Sequence, residues 1–558
     1  MSKCVVVASG YFNPLHYGHV SYLQRAREAG TSLIVIVNND RQAMQKLGSV
    51  EAFQAKGIPA RDRVRLVRSL ACVDAAIEAV DEDESVAQTI RMLHPDVFAN
   101  GGKQHATPKE VEACQELGIR MIDGLGIEML LLQPFTQHYD WGKPKPSSVV
   151  AALGGKHMPT TPTMGFKPYA ELWMGDHPSG PSRARMPGDS VGSCLMSTLK
   201  SSPCLLGKKL AEEAQLPFLL KVLSIEKALS IQAHPDRALA AKLHAERPDV
   251  YKDPNHKPEI AIALTDFEAL CGFRMIPDIL ELVDAVPELA SIVGPEATEL
   301  LRAAVVSGDE DDASAALKQA YCVVMRSNEE VVSSHLRALV GRASAPPPSE
   351  GHKDIVAKAF MLVRRLFEQF GADIGIFSVF FLNFAEMKVG ECLYMPQNTP
   401  HAYLSGDIVE CMACSDNVVR GGLTLKYKDL DVLCDMLVYK GAPPPTIAPD
   451  VLEPGMKLYA HKELDEFQVT HLKLTAGSSR RYCFSGQGPA LGFAFKGHGN
   501  LRVSGENTRL ESGVVFLLAA GVDADISAEE ELDIFVASCP PHYFHTHTTE
   551  VLRRSATK

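Results

Sequence analysis

At 558 residues the chain exceeds what a single hydrophobic core normally organises, so three or four domains are expected. A net charge of −12 argues against broad contact with nucleic acid or an anionic bilayer, because both require a concentrated cationic face. No apolar run approaches the roughly 20 residues that span a bilayer. The start, Met1-Ser2-Lys3-Cys4-Val5, lacks a secretory signal, and the 13 cysteines show no paired metal spacing, so a reducing, cytoplasmic setting is expected.

Residues 1–126 alternate two patterns. Val5–Ala8, Leu33–Val37, Ala75–Glu78, Val97–Ala99 and Met121–Ile122 read as buried strands, with helical spacing near His16–Ala29, Arg61–Leu70, Ser85–Leu93 and Pro108–Leu117. This predicts an α/β, Rossmann-like parallel sheet whose ligands gather at the C-terminal strand ends. The stretch Gly10-Tyr11-Phe12-Asn13-Pro14-Leu15-His16-Tyr17-Gly18-His19 follows the first strand and opens a helix. Gly18 permits close approach of a phosphate, His16 and His19 share a helical face, and the helix N-terminus favours an anion. A nucleoside triphosphate is the expected ligand.

From Gln133 to about Leu264 the pattern is irregular and turn-rich; Ile276–Phe370 then shows helical spacing, interrupted by Ala345-Pro346-Pro347-Pro348-Ser349. Val379-Phe380-Phe381-Leu382 reads as a return to strands, and Gly441-Ala442-Pro443-Pro444-Pro445-Thr446 as a stiff connector. Beyond Leu458, short alternating runs with Gly-rich turns suggest a smaller β-barrel to which only a structural role is assigned. His542, His545 and His547 read as a solvated tail cluster. The expected division is 1–126, then 127–264 with 376–440 around a helical insertion at 265–375, then 441–558.

Three distant segments share ligand chemistry. Gln232 and His234 sit one residue apart on an extended segment and so face the same side; Glu259 and His401 complete a four-ligand shell of a kind that suits zinc. A lone His is more often a hydrogen-bonded core or surface residue than a ligand, so the surrounding strings decide the matter. Tyr139-Asp140-Trp141-Gly142-Lys143, Glu171-Leu172-Trp173-Met174-Gly175, Phe218-Leu219-Leu220-Lys221-Val222-Leu223, the Gln232 and His401 segments and Asp416-Asn417-Val418-Val419-Arg420-Gly421-Gly422-Leu423-Thr424 resemble the type I mannose-6-phosphate isomerases, in order, from Gln133 onward.

The resemblance implies zinc held by Gln232, His234, Glu259 and His401 in a jelly-roll (cupin) barrel, with a second such barrel at the C-terminus and Arg420 at the catalytic centre. It also implies an aldose–ketose isomerisation through an enediol. Lys221, Ser230 and Lys426 are candidates for the substrate phosphate, Lys257 and Glu410 compete as proton carrier, and Tyr403 and Asp416 are possible orienting groups. Gly421 stands where Ala is usual, Leu425 where Pro is usual and Asp176 where Thr is usual.

The N-terminal segment resembles the cytidylyltransferase-like nucleotidyltransferases, with further matches at Asn38-Asn39-Asp40, Lys46, Arg61-Asp62-Arg63-Val64, Cys72-Val73-Asp74, Pro95-Asp96-Val97 and Gly101-Gly102-Lys103. That likeness implies Mg²⁺ with a nucleoside triphosphate, CTP being the expected one, and His16, His19 and Lys46 stabilising the transferring phosphate. The Ser/Thr-rich turn usual after the last strand is replaced by Asp123-Gly124-Leu125-Gly126. A non-catalytic nucleotide sensor that regulates an isomerase is the alternative, and a sugar-binding scaffold a third reading.

Overall fold

The computed structural model describes residues 4–15, 17–47, 57–101, 106–122, 125–154, 167–185, 192–343, 354–484, 486–504 and 506–544. The Ala345–Ser349 loop, His16 and Lys103 lie outside them, as do His545 and His547. The chain divides into two compact units: Met1–Gln133 with Asp176–Leu216 and Leu472–Lys558, and Pro134–Gly175 with Pro217–His471.

In the first unit, five strands form a parallel sheet in the order Ala75–Glu78, Ser32–Val37, Val5–Gly10, Val97–Ala99 and Arg120–Ile122. Alternate residues enter different cores: Val6, Ala8, Leu33, Val35 and Val37 join one face, whereas Val7, Ile36 and Phe98 join the other. Covering both faces requires helices on both sides, which the near-continuous apolar strands demand. The helix Pro108–Leu117 begins with a capping box between Thr107 and Glu110. A helix at Asp40–Leu47 was not among the sequence expectations. The strand order reverses between Val5–Gly10 and Val97–Ala99, the position where open sheets of this kind hold ligands.

The same unit contains antiparallel strands from three parts of the chain. Ser193–Cys194, Arg183–Arg185, Met129–Gln133, Val515–Leu518, Ala490–Lys496 and Leu532–Ser538 run consecutively in one sheet. A second, four-stranded sheet is ordered Ser479–Tyr482, Ala524–Ala528, His498–Val503, Glu506–Glu511.

In the second unit, the 13-residue strand His401–Ala413 belongs to two layers. Its first part pairs with Phe267–Phe273 and Ile231–Ala233, and its second part with Phe218–Ile225 and Glu259–Ala263. The corner is Gly406, at φ 115°. A Cβ there would lie 2.6 Å from the carbonyl oxygen of Asp266, so only glycine allows the chain to change layer at this point.

The helical expectation for Ile276–Phe370 is met by Ile276–Ala285, Pro287–Ser307, Glu310–Met325, Glu329–Ala343 and Asp354–Phe370. Two expectations are corrected. Val379 and Phe380 end a 3₁₀ helix, Ile374–Phe380, capped by Asp373 on the Gly375 amide at 2.7 Å, and the strand starts only at Leu382. A run buried on every side carries no periodicity to separate helix from strand. Gly441–Thr446 is not a free connector: Ala442 donates to Phe273, Tyr394 donates to Pro445, and Thr446–Ile447 pairs with Cys392–Met395.

Candidate metal centre and active site

His234, Glu259 and His401 are each 1% exposed, and ligand-type atoms of the three lie within 4.8 Å of one another. They come from three strand ends. His234 follows Ile231–Ala233, Glu259 opens Glu259–Ala263, and His401 opens the long strand. Gln232 is paired with both His401 and Arg420 across the sheet.

Both imidazoles are oriented by main-chain carbonyls. Nδ1 of His234 lies 2.7 Å from the Asn417 oxygen, and Nδ1 of His401 lies 3.0 Å from the Thr399 oxygen. A carbonyl can only accept, so each Nδ1 carries the proton and each Nε2 presents a lone pair. These lone pairs face a carboxylate, with His234 Nε2 at 3.4 Å from Oε1 and His401 Nε2 at 3.7 Å from Oε2 of Glu259. In this tautomer neither imidazole can donate to the carboxylate. His234 Nε2 and Glu259 Oε2 are accordingly buried without a hydrogen-bond partner.

Titration favours the same state. Burial lowers the His234 pKa, and burial together with His234 pushes His401 down to about 4. Burial opposes the charge on Glu259, yet Lys257, His234 and His401 hold it well below the usual carboxylate range. Two neutral imidazoles and one carboxylate around a common point are the donors a zinc ion takes. The Gln232 amide nitrogen sits 3.4 Å from His401 Nε2 and its oxygen 3.4 Å from Ser230 Oγ. Rotating the amide by a half-turn would bring the oxygen to the same side as the imidazoles. The residues fit the ion.

A second buried cluster adjoins this one. Lys221 Nζ is 3.0 Å from Glu410 and 3.6 Å from Glu171, and 5.0 Å above the Trp173 ring. Burial lowers the affinity of Lys221 for its proton, but Glu410, Glu171 and Glu259 more than reverse this and keep it cationic. Burial raises the Glu410 pKa against the pull of Lys221, and burial with Glu410 beside it raises that of Tyr403. Lys257 Nζ lies 2.9 Å from Glu259.

Arg420 is half-buried with no ion pair among the described residues, and burial lowers its pKa. Burial and then Arg420 lower that of Lys426, whose Nζ lies 5.8 Å from the Tyr139 ring centre. Two cations that disfavour each other suit an anion between them. Asp416 is exposed, its amide donating to Asp253 at 2.8 Å. Gly421 is filled from outside: a Cβ there would lie 2.5 Å from Leu433 Cδ2 and 3.2 Å from Met325 Cε. Leu425 is fully exposed, whereas Asp176 is buried. Glu171 and the carbonyls of Asn417 and Thr399 were not singled out as site groups. Glu171 had a signal in its Glu-Leu-Trp string, but the carbonyls had none, since any residue supplies one.

In the first unit, Gly10, Tyr11, His19 and Lys46 line a cavity of about 640 Å³ at the switch point. Lys46 Nζ sits 4.0 Å above the Tyr11 ring, and burial lowers its pKa. Phe12 and Asn13 shape the turn: Phe12 is buried at φ 49° with its ring 5.0 Å from that of His19, and Asn13 accepts from the Ile58 amide. Arg63 is wholly buried and donates to the carbonyls of Ile58, Tyr11 and Asn38 at 2.7 Å each, fixing that turn from behind. Gly18 lies in the helix Tyr17–Glu28.

Residues 129–276 match the phosphomannose isomerase type I catalytic domain, and residues 292–382 its helical insertion domain. The chain is 38% identical to mannose-6-phosphate isomerase 2 of Arabidopsis thaliana, over 75% of this chain and 96% of that protein. The chain belongs to the type I mannose-6-phosphate isomerases. Another family member, the mannose-6-phosphate isomerase of Saccharomyces cerevisiae, is 37% identical over 71% of this chain and 94% of its own. A crystal structure of the Salmonella typhimurium mannose 6-phosphate isomerase bound to substrate and a zinc atom superposes with a TM-score of 0.60 at 27% identity, covering 73% of this chain and 99% of that one. Unlike the isomerase part, residues 7–124 match the cytidylyltransferase-like domain. No helix among the described residues is long and apolar enough to cross a membrane.

Proposed function

We propose that this isomerase interconverts mannose 6-phosphate and fructose 6-phosphate, with zinc held by Gln232, His234, Glu259 and His401. The observation that carries the proposal is the pair of buried Nε2 lone pairs aimed at one carboxylate, an arrangement that a cation between them would complete. When bound, zinc supplies an electrophile for the sugar oxygens on which enediol charge develops. Arg420 and Lys426 receive anionic oxygen, from the phosphate or the enediolate.

The proton moved between C1 and C2 needs a buried carrier. Glu410 suits the role because it is buried beside the metal centre, where burial raises its affinity for a proton, while Lys221 orients it from 3.0 Å and Tyr403 caps the cluster. Lys257 is the competing carrier. The two antiparallel layers that share His401–Ala413 support a jelly-roll reading of this unit. A coupled assay on mannose 6-phosphate tests the whole reading: chelation should abolish turnover and zinc should restore it, and full turnover in metal-free protein would refute it.

A second activity is supported by the cavity at the switch point of the N-terminal sheet, which gathers Lys46, His19 and the Gly10–Tyr11 turn. We assign it the binding of a nucleoside triphosphate with Mg²⁺, CTP first, and transfer of its nucleotidyl group to a phosphate-bearing acceptor. Pyrophosphate release separates a transferase from a non-catalytic sensor.

A further inference from the structure

The N-terminal cavity has a wall that the nucleotidyltransferase-like region does not supply. Glu128 and Met129, from the segment entering the strand Met129–Gln133, and Val503, Ser504 and Glu506, from the hairpin His498–Val503 to Glu506–Glu511, line it together with His19 and Lys46. These residues fall outside the 7–124 match.

Glu128 is the unusual one. It is 9% exposed, it borders the cavity, and its carboxylate has no hydrogen bond or ion pair to any described residue. Its main-chain oxygen is already used by the Ala519 amide. A carboxylate that lines a cavity and has no protein partner there is available to accept from a ligand. Lys46 and His19 in the same cavity call for phosphate, so the ligand must be anionic at one end and rich in hydrogen-bond donors at the other. Adjacent hydroxyls meet that need, since a carboxylate accepts from both at once.

We propose that Glu128 is a ligand-recognition residue of this cavity, accepting from vicinal hydroxyls of a phosphorylated ligand. The proposal rests on the nucleotide-binding reading of the domain. The hydroxyls belong either to the ribose of the nucleotide or to a sugar-phosphate acceptor.

Calorimetric titration of the full chain with Mg²⁺ and CTP, ATP or GTP, with their 2′,3′-dideoxy counterparts, and with mannose 1-phosphate decides the matter. Lys46→Ala, which should lose binding, places the signal in this cavity. Glu128→Leu should weaken the hydroxyl-bearing ligand about tenfold or more, the scale of one lost charge-assisted hydrogen bond, and Glu128→Gln less so. A ribose origin predicts that the dideoxy nucleotides bind wild type and variants alike, whereas an acceptor origin predicts that only mannose 1-phosphate is affected. Thermal stability should not fall in either variant, because no protein contact is removed. Unchanged affinities in both variants for every ligand would overturn the proposal while leaving nucleotide binding intact. Binding of Mg²⁺ alone, lost in Glu128→Gln, would overturn it in favour of a cation site. Failure of wild type to bind any of the ligands would instead remove the nucleotide reading itself.

Discussion

The two histidines of the metal centre are fixed in one tautomer by carbonyls of Asn417 and Thr399, so their protons point away from Glu259. Replacing a ligand should therefore remove the ion rather than weaken a salt bridge. Glu259→Gln or His401→Ala is expected to purify with little zinc by elemental analysis and without isomerase turnover. Glu410→Gln should keep its zinc yet lose about a hundredfold or more in kcat, the usual reach of a positioned acid–base group; unchanged kcat would pass that role to Lys257. Asp176 offers a separate test of burial. Its Oδ2 accepts from the Leu216 amide at 3.2 Å while Oδ1 is buried and unpartnered. Burial raises its pKa from 3.8 to about 6. A carboxyl that holds its proton more tightly when folded favours folding below pH 4 and loses that contribution as pH rises through 6, a change of about 3 kcal/mol at 1.36 per unit. Asp176→Asn should therefore raise Tm at pH 7.5, with the gain vanishing near pH 4.

Elements, rather than single residues, set what could be read from the chain. The five parallel strands were legible because each is a short apolar run bounded by helical spacing. The gathering of His234, Glu259 and His401 was legible because Gln232 and His234 are neighbours within a recognisable string. The Lys221–Glu410–Glu171 cluster was not. Lys221 meets Glu410 and Trp173 through the register of three strands far apart in sequence, and register leaves no local trace. Nor does the layer change at Gly406, which looks like any strand glycine until the Asp266 carbonyl is placed beside it. Gly421 shows the same dependence. Where the family usually has Ala, Leu433 and Met325 here occupy the space of the methyl, so Gly421→Ala should cost about 1–3 kcal/mol by overpacking. Trimming Leu433 to Val in the same chain should recover part of the lost Tm.

At the scale of the molecule, the first unit is assembled from three separate stretches of chain. The strand Met129–Gln133 lies between Arg183–Arg185 and Val515–Leu518. It closes the N-terminal region in sequence and sits inside a later sheet in space. Deleting residues 1–126 leaves that strand in place, but deleting 1–133 uncovers two strand edges able to pair with other chains. Size-exclusion chromatography should show aggregation of the longer deletion well beyond that of the shorter one.

That placement also constrains how the protein is made. The parallel sheet has all of its strands once Ile122 has emerged from the ribosome, whereas Met129–Gln133 must wait for Val515–Leu518, which emerge far later. Until then the nascent polypeptide carries an apolar ribbon, Met129-Leu130-Leu131-Leu132, with one of its two neighbours still untranslated. A chaperone that shields such ribbons would serve this protein at that position more than anywhere in its first domain.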